Sequence, residues 1–258
     1  MGFLAGMANQ RKHRSRNCTS VTAAVPSNPP LFPVDIHKLK VSIKAMTAAV
    51  VFDNVGHADL ADTLSFTAEC GRSTLLLTAR EDENALLVRL LVGREQPHHG
   101  TIYVKGQNLR ELTNGQLHDL RQHLGVVTPN GGLVSNLKLW ENITLPLFYT
   151  SGSISEDSEA RALELLREFG YGGNLLALPA HLSLAEKRMV AFIRAALCTP
   201  RIMIYAGCFD AQTALARKAL ATAAFEFHKA DAERASLYLC SSVEPPADIH
   251  YDTLLRLH

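Results

Sequence analysis

The segment best equipped for chemistry is Thr78-Ala79-Arg80-Glu81-Asp82-Glu83-Asn84-Ala85, in which three consecutive acids follow one arginine. It lies between a Leu-rich run at 75–77 and a helix-like stretch at 84–92 that stops at Gly93. Carboxylates at the start of a helix are favoured by its dipole, so these acids suit a solvated turn. The same charges repel an anionic ligand, and one arginine offsets little of that. Asp62 and Asp210 are expected as cap or turn residues, each without a metal partner in sequence. The histidines are scattered. His98 and His99 fall in a loop, while His118 and His123 miss the i, i+4 spacing of a helical metal pair. The five cysteines contain no CxxC pair. Neither a zinc site nor a disulfide framework is expected from them, and no metal is assigned.

Those residues must be positioned by alternating elements. Apolar runs bounded by polar punctuation predict strands at 48–52, 73–78, 101–106, 125–129, 201–207, 236–242 and near 251–257. Helical spacing predicts helices over 84–92, 112–124, 155–169, 183–197 and about 211–228. Ser155 is the expected N-cap and Gly170 the expected stop of the third. Strands alternating with helices indicate an α/β domain with a largely parallel sheet.

The chain has 258 residues, 47% of them apolar and 20% charged, with a formal net charge of +1. That composition excludes disorder as the main state and supplies a sizeable core. No run of 18 apolar residues occurs, so no segment is expected to span a membrane by itself. Residues 1–44 concentrate seven Lys and Arg against the single acid Asp35, together with four prolines. They predict a flexible basic tail over 1–45, with Met46 as the natural start of one domain over 46–258. No apolar stretch follows the basic cluster, so a signal peptide is not expected. The tail reads as a solvated leader, and no nucleic-acid partner is assigned.

From about 47 to 257 the order of segments resembles the nucleotide-binding subunit of an ABC transporter. Gly71 to Gly93, ending in LVRLLVG, has the spacing of the family's phosphate-loop unit. HHGTIYVKGQNLREL (98–112), LRQHLGVVTP (120–129) and GLVSNLKLWENITLPLFY (132–149) follow in the family's order. HLSLAEKRMVAFIRAALCTPRIMIYAGCF (181–209) corresponds without a gap to the signature motif, its helix and the second acidic strand. The resemblance implies an ABC-type P-loop NTPase fold, α/β, with a mostly parallel sheet core and a helical subdomain at about 130–180.

Residue by residue, the family's chemistry is missing. The three phosphate-loop glycine positions hold Thr78, Glu81 and Glu83, the Lys position holds Asn84, and the Mg²⁺-binding Ser/Thr position holds Ala85. The Asp-Glu pair of the second acidic strand is replaced by Ala206 and Gly207, the γ-phosphate-sensing Gln by Pro129, and the following His by Ser242. Leu182 and Ser183 are what remains of the signature, with Leu184, Ala185 and Glu186 in place of its other residues. Thr213 aligns with the Asp of the dimer loop, and VGHADLADTLSF supplies no aromatic for the base. A phosphate cradle needs backbone N–H groups exposed by glycines and a Lys to meet the charge. No catalytic residue or bound nucleotide is therefore expected, with ATP and Mg²⁺ entering only if a partner rescues the site.

The resemblance then implies a degenerate ABC-type subunit with a structural or regulatory role in a membrane transport complex. Its expected partners are a transmembrane permease and either an intact ABC ATPase in a heterodimer or a second copy in a homodimer. Its expected place is cytoplasmic, peripheral on the cytoplasmic face of the inner membrane. ENITLPLFY looks most like the ATPases of lipoprotein-release, macrolide-export and MCE-type phospholipid systems, which makes lipid or lipoprotein cargo the expectation. Pro129, Trp140, Leu145, Pro146, Leu147, Phe148 and Tyr149 are the expected docking residues. Two alternatives remain open: a residual or composite-site ATPase completed by an intact partner, and an adaptor detached from transport.

Overall fold

The computed structural model describes residues 48–257. The leader expected at 1–45 lies outside them. Two sheets carry the architecture. In the first, β1 (Ala48–Gly56) pairs antiparallel with β2 (Leu64–Glu69) and with β4 (His99–Val104), and β5 (Gln107–Asn108) extends the edge beyond β4. The second is wholly parallel, ordered β6 (Leu124–Val127), β7 (Ile202–Ala206), β8 (Ala235–Cys240), β3 (Ser73–Leu77) and β9 (Thr253–Arg256).

The parallel strands are apolar along their length because both their faces are covered. Leu75, Leu77, Met203, Tyr205, Tyr238 and Cys240 point into one core, shared with α5 (Leu184–Leu197) and α6 (Ala214–Lys229). Leu76, Ile202, Ile204, Leu237 and Leu239 point into the other, shared with α1 (Glu81–Leu91) and the antiparallel sheet. The strict period of two along each strand assigns these faces. Tyr205 and Tyr238 stack across neighbouring strands with centroids 4.8 Å apart.

Expected boundaries held where a cap fixes them. In α4 (Glu156–Glu168) the Ser155 hydroxyl accepts the Ser158 amide, and Gly170 takes a φ of 68° just beyond the helix. Elsewhere they moved. Helix α1 begins at Glu81, three residues before the expected 84, because its acids are tolerated in the first turn. The helix expected over 112–124 contracts to α2 (Asn114–Arg121), started by a capping box between Thr113 and Gln116. Strand β2 was not among the expected elements.

Residues 139–151 form α3 (Leu139–Ser151), with Pro146 inside it. Its entry is clamped by Asn142, which is fully buried. The Asn142 side chain accepts the Val134 amide at 2.7 Å and donates to the Val134 and Leu137 carbonyls, both at 3.0 Å. The Asn of ENITLPL is thus consumed in fastening the loop ahead of the helix.

Candidate functional site

The turn between β3 and α1 is where a phosphate loop would lie, and several of its polar groups are paired within the chain. The Thr78 amide donates to the Cys240 carbonyl at 2.9 Å, and its hydroxyl lies 2.9 Å from Asn84 Oδ1. Glu83 is 2% exposed. Its Oε2 accepts the Ala79 amide at 2.9 Å, while Arg80 Nε lies 3.6 Å from Oε1 and 3.3 Å from an Asp82 oxygen. Arg80 also donates to the Asp59 carbonyl at 2.8 Å, which ties the turn to the β1–β2 connection. The anion this loop holds is therefore its own carboxylate.

The other positions singled out from the sequence converge on the same place. A Cβ added at Gly207 would stand 3.2 Å from Pro129 Cγ, 3.5 Å from Asn84 Nδ2 and 3.6 Å from Asp210 Oδ2. Gly207 has a φ of 58°, a conformation glycine enters without strain, and its amide donates to the Leu239 carbonyl at 2.7 Å. Asn84 Nδ2 is buried without a hydrogen-bond partner among the described residues. Ala206 ends β7 with no polar atom on its side chain, and Ala85 is exposed in α1. The positions meet, with Asn84, Ala206 and Gly207 where the family places Lys, Asp and Glu, and with Asp210 as the carboxylate beside them.

Arg188, which the sequence reading passed over, and Asp210 hold this cluster together. Arg188, in α5 and 3% exposed, donates from Nε to the Pro129 carbonyl at 2.6 Å and from a terminal nitrogen to the Asp210 carbonyl at 3.1 Å. Burial lowers its pKa from the usual arginine value, with Cys208 and Asp210 acting in the opposite sense. Asp210 Oδ2 accepts both the Ser241 amide at 3.0 Å and its hydroxyl at 2.9 Å, joining the ends of β7 and β8. Asp210 is thus a strut, as its turn position foretold. Arg188 carried no sequence signal beyond one charge on an apolar helix.

The remaining candidates have local structural partners. Ser183 caps α5 in a capping box with Glu186, whose pKa this Ser183 hydroxyl and amide bonding lowers. Leu182 packs half-buried on the core, and Thr213 caps α6. Ser242 donates to the Glu244 carbonyl at 2.8 Å.

The expected docking residues divide. Pro146, Leu147 and Tyr149 line a groove of about 900 Å³ together with His118, Arg121, His123, Arg194, Leu197 and Arg201. Phe148 and Tyr149 are 58% and 80% exposed. Trp140 is half-buried against the helical-side core, as is Leu147. Leu145 is half-buried and does not border the groove. Pro129 also lies outside that lining, packed instead among Asn84, Gly207 and Arg188.

A cassette with two sheets, helices α3 and α4 between β6 and β7, and a strand–turn–helix at the phosphate position is the class that this geometry defines. Residues 85–205 match the family profile described as ABC transporter. That match opens at Ala85, just past the Lys position, and closes at Tyr205, just before the Asp position. The chain is similar to the methionine import ATP-binding protein MetN 2 of Enterococcus faecalis, 34% identical over 129 residues, 50% of this chain and 36% of that protein. It is likewise similar to MetN 2 of Pseudomonas aeruginosa, 30% identical over 168 residues, 65% of this chain and 43% of that protein. It therefore spans about two fifths of the length of the curated relatives it matches. Among solved structures, an ATP-binding subunit of an ABC transporter superposes with a TM-score of 0.67 at 22% identity, covering 81% of this chain and 86% of that one. A dimeric cassette bound to ADP and Pi gives 0.65 at 18% identity, covering 75% and 88%. The chain is a relative of ABC transporter ATP-binding proteins and has their α/β fold. Among the described residues, no helix is long and apolar enough to cross a membrane.

Proposed function

We propose that this chain is a non-hydrolysing cassette of a membrane transport complex, contributing structure or regulation in place of ATP turnover. The observation that carries the reading is Glu83 bonded to the Ala79 amide in the loop where a phosphate would be cradled. Asn84, Ala206 and Gly207, standing where the family places Lys, Asp and Glu, support it from a second side. A transmembrane permease is the proposed partner, seated in the groove that Pro146, Leu147 and Tyr149 line beside α5. An intact ATPase or a second copy of this chain completes the complex, at the cytoplasmic face of the inner membrane. The relatives' printed role in methionine import supports a small amino-acid-like cargo over the lipid cargo expected from ENITLPLFY.

Two measurements test the proposal together. The purified chain is expected to hydrolyse no ATP above background, and to co-purify with the permease of the neighbouring reading frame without added nucleotide. Mg²⁺-dependent turnover that follows this chain through successive columns would overturn the first half. Failure of co-purification with every neighbouring membrane subunit would overturn the second.

A further inference from the structure

One end of the antiparallel sheet carries ionisable side chains that a transport cassette leaves without a task. His57 and Asp59 come from the connection between β1 and β2, and Glu95 and His98 from the link between α1 and β4. The two segments are joined by backbone: the His98 amide donates to the Gly56 carbonyl at 2.9 Å, and Gly56 is registered against His99. The His57 side chain is 7% exposed. Its Nδ1 accepts the Asp59 amide at 3.1 Å, so the neutral ring keeps its proton on Nε2, which lies 2.9 Å from Glu95 Oε1. Arg89 binds the other Glu95 oxygen, leaving Oε1 to the ring. The His98 ring stacks on His57 with centroids 4.8 Å apart.

One ring nitrogen of His57 and one oxygen each of Asp59 and Glu95 lie within 4.8 Å of one another, and this is the only such group among the described residues. We propose that His57, Glu95 and Asp59 form a site for a borderline divalent transition-metal ion of the Zn²⁺ class. Two ligands of a tetrahedral zinc, each about 2.0–2.1 Å from the metal, stand about 3.3 Å apart. His57 Nε2 and Glu95 Oε1 need to open by only a few tenths of an ångström from their 2.9 Å hydrogen bond to admit it. The ion takes the place of the Nε2 proton, and the neutral ring then carries its proton on Nδ1, which gives up the Asp59 amide and turns to Asp59 Oδ2, 3.6 Å away. A carboxylate that accepts from the second ring nitrogen is the usual way a metal-bound histidine is oriented. Solvent completes the coordination, and Asp59 acts through the ring as its orienting carboxylate rather than as a ligand. An imidazole ligand favours Zn²⁺, Ni²⁺ or Co²⁺ over Mg²⁺ and Ca²⁺, which prefer oxygen throughout. The bound ion would tie two turns of the sheet together beside the former nucleotide positions, to which Arg80 links the Asp59 carbonyl.

Calorimetric titration of the full chain with Zn²⁺, and in parallel with Mg²⁺, tests the site. One saturable Zn²⁺ event is expected, weakened at least about tenfold in His57→Ala, with no comparable Mg²⁺ event. The melting temperature is expected to rise with Zn²⁺ and fall back with a chelator. If His57→Ala does not fold, Asp59→Asn, on an exposed side chain, is read in its place and is expected to weaken binding. The absence of saturable Zn²⁺ binding by the unaltered chain overturns the proposal. So does binding of the same strength in His57→Ala and Asp59→Asn, which would place the ion elsewhere, for example on His13, Cys18 or His37.

Discussion

Glu83 Oε2 stands 2.9 Å from the Ala79 amide nitrogen, so the turn into α1 is closed by a carboxylate from the helix it introduces. The bond does the work that a capping-box acid does at other helices, reaching back from the third helical position to an otherwise orphan donor. A donor already satisfied by a fixed charge is withdrawn from ligand binding, and a phosphate approaching it meets Glu81, Asp82 and Glu83 first.

Nucleotide binding is accordingly expected to be absent in calorimetry with ATP and Mg²⁺. A dissociation constant in the low micromolar range requires about 7–8 kcal/mol of binding; the cation of the turn, Arg80, is already paired with Asp82 and Glu83, and the turn holds no stacking ring. Asn84→Lys alone is expected to leave binding undetectable, because Glu81 and Glu83 remain. Recovery of micromolar affinity by that single change would show that Glu83 does not block the loop.

Removal of the carboxylate tests its structural side. In Glu83→Ala the Ala79 amide and Arg80 lose their partner, a change of about 1–3 kcal/mol for a largely buried charge-assisted bond. The melting temperature is expected to fall by roughly 2–12 °C for a domain of this size. An unchanged melting curve would mean that water replaces the carboxylate without cost.

The sequence exposed the strands and the capped helices because each is written in adjacent residues. Leu75, Leu76 and Leu77 alternate between two cores, and Ser155, Ser183 and Thr213 each stand just before a helix. The convergence of Asn84, Pro129 and Gly207 followed from segment order alone. What stayed hidden depends on side chains far apart in sequence. Arg188 meets Pro129 and Asp210 across 59 and 22 positions, and Asn142 spends its amide on a loop eight residues earlier. The set of His57, Asp59 and Glu95 is equally silent, because β1–β4 pairing brings together residues from two turns.

The Asn142 clamp has a direct consequence for stability. Asn142→Ala strands the Val134 amide and the Val134 and Leu137 carbonyls, at about 1–3 kcal/mol for each buried group that water cannot reach. Thermal unfolding should shift down by several degrees, while Asn136→Ala, at an exposed loop position, should leave it unmoved. Equal shifts in the two variants would remove Asn142 from its role.

Acid should loosen the edge of the parallel sheet through Asp252. Its carboxylate accepts the Ser73 amide at 2.8 Å and the Ser73 hydroxyl at 2.9 Å, joining the start of β9 to that of β3. The backbone bond from Ser73 leads the causes that hold its pKa below the ordinary carboxylate value, with Arg72 adding to the effect. A depressed folded-state pKa means that this stabilisation is complete above the unfolded value, about 3.9. It is lost as pH falls from there through the lower folded value. Asp252→Asn should therefore narrow the stability difference between neutral pH and about pH 3. An unaltered pH profile in the variant would show that the carboxylate charge is idle.

The groove beside α3 separates docking from packing by mutation. Phe148 and Tyr149 stand out from the helix at 58% and 80% exposure, so their replacement by Ala removes little buried surface. Both variants are expected to keep the melting temperature within a degree or two while losing co-purification with the permease. Trp140 packs against the helical-side core, and Trp140→Ala should lower the melting temperature by several degrees, since truncating a core aromatic costs about 3–5 kcal/mol when fully buried and less here. Retention of the permease by Tyr149→Ala, the one of the two that lines the groove, would move the docking surface away from it, and retention by Phe148→Ala would remove the neighbouring helix face.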